Sequence, residues 1–161
     1  SRGLGDVYKR QAKFVFKMQN ILAVKEKLES QAKAEYGLEI SKLREEEQKK
    51  ILLEQKKLYY EQQLTECLHD TLDMPRIKQY EQAVEDMKIC IREQQHIIKQ
   101  QEEKVAKARK KLDDAMKERK TYEKLKERAF EEFKLELNAA EQKEVDELVS
   151  FRHGSKIESE D

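Results

Sequence analysis

The chain has 161 residues, 42% of them charged and 37% hydrophobic, with one proline, four glycines and no tryptophan. That balance belongs to long solvated helices and leaves too little apolar material for a packed globule. Its 34 basic and 34 acidic residues cancel to zero net charge, and the signs interleave, with no evident basic stripe of the kind by which a nucleic-acid binder neutralises phosphates.

Residues 1–11 carry two glycines and no helical period, so they read as a disordered leader of the kind a cloning junction leaves, outside the fold. From about residue 14 an amphipathic pattern begins with Phe14, Phe16, Met18, Ile21 and Leu22. It continues through Leu28, Ala32, Tyr36, Ile40, Leu43, Ile51, Leu58, Leu64 and Leu68, predicting a first helix over about 14–72. The only proline, Pro75, restricts the residue before it and suits the first turn of a following helix. A turn is therefore expected at 72–75.

From Ile77 onward the period is stricter. Ile77, Val84, Ile91, Ile98, Val105 and Leu112 recur every seven residues, and a second row follows three positions on with Tyr80, Met87, Gln94, Gln101, Ala108 and Ala115. Such a heptad pattern predicts one long helix, about 76–152, whose seam coils against another helix. The fold class is thus all-α, a long antiparallel two-helix coiled-coil hairpin occupying 12–152. The polar residues 153–161 are expected to be a disordered tail.

A turn centred near residue 74 implies that facing residue numbers add to about 148. Leu58 then meets Ile91, Ile51 meets Ile98, and Leu43 meets Val105. Two polar layers fall opposite one another, Glu54 with Gln94 and Glu47 with Gln101, and are expected to form a locally weak joint. In this register residues from about Leu135 to Phe151 pass the start of the first arm. Their stripe of Leu137, Ala140, Val145, Leu148 and Phe151 is left with nothing in the chain to cover it, and an uncovered stripe implies a partner. Ala83, Cys90 and Ile97 on the second arm, with Ile89 beside them, and Leu53 and Tyr60 on the first, flanked by Leu52 and Tyr59, form rows beside the seam. These rows are either a widened seam or a docking face with aromatic anchors.

Residues for chemistry are scarce. His69, His96 and His153 stand far apart without a carboxylate or cysteine at ligand spacing, and no phosphate-binding loop or nucleophile elbow occurs. A slender hairpin also offers no cleft in which to desolvate a carboxylate. The expectation is a protein with no catalytic residues, no cofactor and no metal. No apolar run nears the roughly 18 residues that cross a bilayer, and no signal-peptide core is present. A cytosolic chain without direct membrane insertion is expected, with Cys67 and Cys90 reduced.

Four stretches carry a family resemblance: Phe14-x-Phe16-x-Met18-Gln19-x-Ile21-Leu22-x-x-Lys25, the Tyr80 region after the proline turn, Lys117-x-x-Lys120-x-x-Glu123-Lys124-Leu125-Lys126-Glu127, and Glu141-Gln142-Lys143-x-x-Asp146-Glu147. In their order and spacing they resemble FliJ, the coiled-coil stalk family of the bacterial flagellar type III export apparatus. The resemblance covers nearly all of residues 12–152. It implies a hairpin similar to the central stalk of rotary ATPases. The end carrying both termini would insert into the hexameric flagellar export ATPase and promote its assembly, and the flank would contact the cytoplasmic part of the membrane export gate. Export chaperones are further implied partners.

Carried onto this chain, the implied ATPase-binding residues are Phe14, Phe16, Leu137, Glu141, Gln142, Lys143, Asp146, Glu147, Leu148 and Phe151. The implied gate-binding residues are Leu53, Tyr60, Ala83, Met87, Cys90 and Gln94, although Ala83 stands where family members often carry a larger group. The location implied is the cytoplasmic face of the inner membrane. A hairpin contains its own partner helix, so a monomer is expected, self-associating only weakly through the exposed stripe. The competing readings are a stalk protein of a non-flagellar type III system, a rotary ATPase stalk subunit, which normally adds a globular α/β part, and a plain coiled-coil spacer.

Overall fold

The computed structural model describes residues 13–159. Two helices make up nearly all of it, α1 spanning Gln19–His69 and α2 spanning Met74–Glu158, with no strand among the described residues. They pack against each other as an all-α helical hairpin, the architecture that the heptads predict. Two compact units divide it: a turn-bearing unit, Leu28–Met116, and a termini-bearing unit that joins the stretch ending at Lys27 to the stretch beginning at Lys117.

The helix limits differ from expectation at three places. At the start, residues 13–16 are not helical and a turn occupies 17–18, so α1 begins at Gln19 rather than near 14. Phe14 and Phe16 are half-buried while Val15 is exposed, a period of two that only extended backbone produces. The Gln19 N–H donates to the Phe16 carbonyl at 3.1 Å and the Leu22 N–H to Met18 at 3.0 Å, which closes the turn into the helix.

At the connection, α1 stops at His69 and α2 starts at Met74, slightly earlier than 76. Asp73 is the cap: its carboxylate accepts the Arg76 N–H at 3.4 Å and its carbonyl the Ile77 N–H at 3.0 Å. Pro75 falls in the first turn, where a missing N–H costs nothing.

At the far end, the expected disordered tail is helical as far as Glu158. Gly154 lowers propensity by about 1 kcal/mol without ending a helix, and Ser155 and Ser159 turn their hydroxyls back onto the carbonyls of Arg152 and Lys156. The 1–11 leader lies outside the described residues, as do residues 160 and 161.

In the turn-bearing unit, α2 presents the face that the heptads predict. Ile77, Val84, Ile98 and Ala108 are buried, with Gln94 and Gln101 buried among them. The face of α1 is the predicted one only in part: Ala32, Tyr36, Ile40, Leu43 and Leu64 turn inward as expected, but others do not. Ile51, Leu58 and Leu68 are 45%, 55% and 56% exposed, whereas Leu53, Tyr60, Leu64 and the stems of Lys50 and Lys57 turn inward.

The register differs accordingly. Gln94 donates to the Glu46 carboxylate at 2.6 Å and to its carbonyl at 2.9 Å; Gln101 does the same with Glu39; and the Tyr60 and Tyr80 rings lie 6.4 Å apart. Facing residue numbers therefore add to 140 rather than 148, and the expected layers of Glu54 with Gln94 and Glu47 with Gln101 do not form. Matching apolar residues alone overlooked two compensations. A buried glutamine can satisfy a carboxylate brought into the seam. Lysine stems can line a seam while their heads stay in water, and here Lys50 and Lys57 reach Glu54 and Glu61 one turn on.

In the termini-bearing unit, Leu22 is the most deeply buried side chain, 2% exposed. Phe14 packs between Phe130 and Phe133 with ring centroids 5.2 and 5.6 Å away. Lys25 bonds Glu118 at 2.7 Å and lies 6.0 Å from the Tyr122 ring. These pairs run in opposite directions along the two helices, so the hairpin is antiparallel here as well.

Candidate functional site

Two surfaces carry the candidate residues, one in each unit. In the termini-bearing unit, α2 brings Leu137, Glu141, Gln142, Lys143, Asp146, Glu147, Leu148 and Phe151 onto one continuous helix. Of these only Leu137 and Glu141 are half-buried. Leu148 and Phe151 are 60% and 76% exposed, and Val145 and Val149 beside them are also open to solvent. Beyond Glu141 nothing among the described residues covers the helix, whereas Leu137, which the sequence also left uncovered, is half-buried.

Phe14 and Phe16 are placed differently from the rest of that set. Both are turned inward, and Phe14 is held by its two aromatic neighbours. Next to them lie two open grooves, one of about 470 Å³ lined by Phe14, Leu22, Glu26, Lys126 and Phe130 among others, and one of about 620 Å³ between residues 13–18 and Ala129, Phe133 and Glu136. The extended segment thus buttresses the covered stretch of α2, with Val15 and Met18 exposed on its outer side.

In the turn-bearing unit the second candidate set proves to be mostly seam. Leu53, Tyr60, Ala83, Met87 and Cys90 are half-buried at the helix–helix contact, and Gln94 is buried with both donated bonds going to Glu46. The outward-facing apolar groups are their neighbours Leu52, Tyr59, Ile89 and Ile97. Tyr59 stacks edge-on against Tyr60, 5.6 Å between centroids, which anchors an exposed ring on a seam ring. A shallow groove of about 310 Å³ bordered by Lys49, Leu52, Leu53, Lys56 and Gln94 opens on the same flank. The sequence placed all four beside the seam, Ile97 within the rows and Leu52, Tyr59 and Ile89 flanking them; what its register misplaced is Leu53 and Tyr60, which turn inward.

The electrostatics of this unit centre on the two polar layers. The Gln94 amide, then Lys49, holds the Glu46 carboxyl below its ordinary value; the Gln101 amide, then Lys42, does the same for Glu39 against the opposing effect of desolvation. In the other unit the hydrogen bond from Lys25 to Glu118 raises the lysine's pKa. These shifts stabilise charged forms. None poises a group to exchange protons near neutrality, as general acid–base catalysis requires.

Among the described residues no cluster of three His, Cys, Asp or Glu is placed to hold a metal ion, and no helix is long and apolar enough to cross a membrane. Cys67 and Cys90 are free thiols. The family model of the flagellar FliJ protein matches residues 14–158, nearly the whole described chain.

The chain belongs to the FliJ family.

Membership makes it a component of the flagellar protein export apparatus, a structural and export part rather than a known enzyme. No curated protein and no solved structure matches the chain. The matched span begins at Phe14, in the extended segment, and ends at Glu158, the last residue of α2.

Proposed function

We propose that this FliJ-family chain acts as the stalk of the export apparatus. The open end of α2 seats in the flagellar export ATPase and favours its hexamer, and the flank of the turn-bearing unit meets the cytoplasmic part of the export gate. The observation that carries this reading is the exposed apolar stripe of Val145, Leu148, Val149 and Phe151. It lies on a stretch of α2 that nothing among the described residues covers. A solvent-facing stripe of this kind is stabilised by a surrounding protein surface.

The gate contact rests on Leu52, Tyr59, Ile89 and Ile97, with the implied residues Leu53, Tyr60, Ala83, Met87 and Cys90 behind them. Gln94 serves the hairpin itself through its bonds to Glu46. Export chaperones are the third partner class, and peripheral placement at the inner membrane follows from the gate contact. A strain lacking its own chain tests the proposal through secretion of hook and filament protein. The wild-type chain should restore export, and the Leu137→Ala/Leu148→Ala/Phe151→Ala variant should not, despite equal cellular levels. Full export by the triple variant would remove the α2 end from the function.

A further inference from the structure

The termini-bearing unit is electrically two-sided. Residues 135–151 hold five acids, Glu136, Glu141, Glu144, Asp146 and Glu147, against the single base Lys143; Arg152 and Lys156 then end the acidic run. The hairpin stretch beside it is basic. Residues 13–27 contribute Lys13, Lys17, Lys25 and Lys27 against Glu26, and residues 117–134 hold seven bases against five acids. Each part also has exposed apolar residues: Val145, Leu148, Val149 and Phe151 on the acidic part, and Met18, Ile21, Val24 and Leu125 on the basic part. The lengths agree as well, since 17 and 18 residues of helix both span about 25 Å.

We propose that the acidic open end of α2 docks along the basic hairpin stretch of a second copy of this chain, two copies lying antiparallel so that each covers the other. The contact is isologous: the same two patches meet twice, which doubles the buried area without a second kind of interface. Opposite charge sets the pairing and its direction, and the apolar residues supply the contact surface. The stripe proposed to seat in the ATPase is then covered in the free protein, so dimer and ATPase complex exclude each other. The dimer itself does not depend on the ATPase reading.

Sedimentation velocity of the full chain at about 100 μM, where a micromolar interface is largely filled, tests this. A dimer is expected, weakened roughly tenfold when the salt is raised from about 0.1 M to about 1 M. Glu144→Lys/Glu147→Lys and Lys17→Glu/Lys27→Glu should each be monomeric with unchanged helix content. Mixing the two variants should restore a dimer, because each altered patch now faces its opposite. A wild-type chain that stays monomeric would overturn the proposal and leave the stripe to another partner. So would a dimer that survives both charge reversals, or a mixture that fails to associate.

Discussion

Gln94 and Gln101 set the register at the scale of single residues. Both are buried, both are seven apart, and each hands its amide to a glutamate on α1, so any slip of the helices separates at least one donor from its acceptor. Because the bonds lower the pKa of Glu39 and Glu46 in the fold, they stabilise it fully above the unfolded carboxylate value near 4.5. That contribution is lost as the pH falls through the lowered values. The Tm of the wild type should therefore drop toward that of Glu39→Gln/Glu46→Gln as the pH is taken from neutral to about 3. A constant gap between the two proteins would show that the layers do not titrate with folding.

Polar layers specify a register at a cost in stability. Replacing Glu39, Glu46, Gln94 and Gln101 together by Leu should raise Tm in thermal melts. Gln94→Ala alone should lower it, because one hydrogen-bond network loses its donor while the carboxylate remains. The loss expected from the bond to the Glu46 carbonyl is about 1 kcal/mol. If the quadruple variant melted lower than wild type, the layers would be stabilising in their own right.

At the scale of the elements, α2 was legible in the sequence and the inward face of α1 only in part, for a physical reason. The α2 seam is written in Ile77, Val84, Ile98 and Ala108, residues whose only favourable place is the contact. Toward the turn α1 carries two apolar faces, one with Ile51, Leu58 and Leu68 and one with Leu53 and Tyr60, and hydrophobicity alone favours the first. The second face wins through lysine stems and the two glutamates paired by glutamine, which an apolar count scores as unfavourable. The start of α1 was misjudged for a related reason: Phe14 and Phe16 fit a helical stripe loosely but fit alternation well.

Alanine substitutions separate the two faces. Ile98→Ala should cost about 2–4 kcal/mol in urea unfolding, as should Leu22→Ala in the other unit. Leu58→Ala and Ile51→Ala should stay within about 0.5 kcal/mol. Large losses at Ile51 and Leu58 would instead favour the register in which they face α2.

For the whole molecule, the uncovered stripe was readable in the sequence because it depends only on where the heptads outlast their partner. The flank was readable less well: Leu52, Tyr59, Ile89 and Ile97 stood out beside the seam, but that they are exposed while Leu53 and Tyr60 are not emerges only once the register is known. In the proposed stalk reading the open end of α2 engages the ATPase. The most direct measurement titrates the full chain into the flagellar export ATPase, reading ATP hydrolysis and hexamer population together, beside the Leu137→Ala/Leu148→Ala/Phe151→Ala variant. The stalk account predicts that the wild type raises both and that the variant, equally helical, raises neither. Equal stimulation by the two, or none by the wild type, would contradict it.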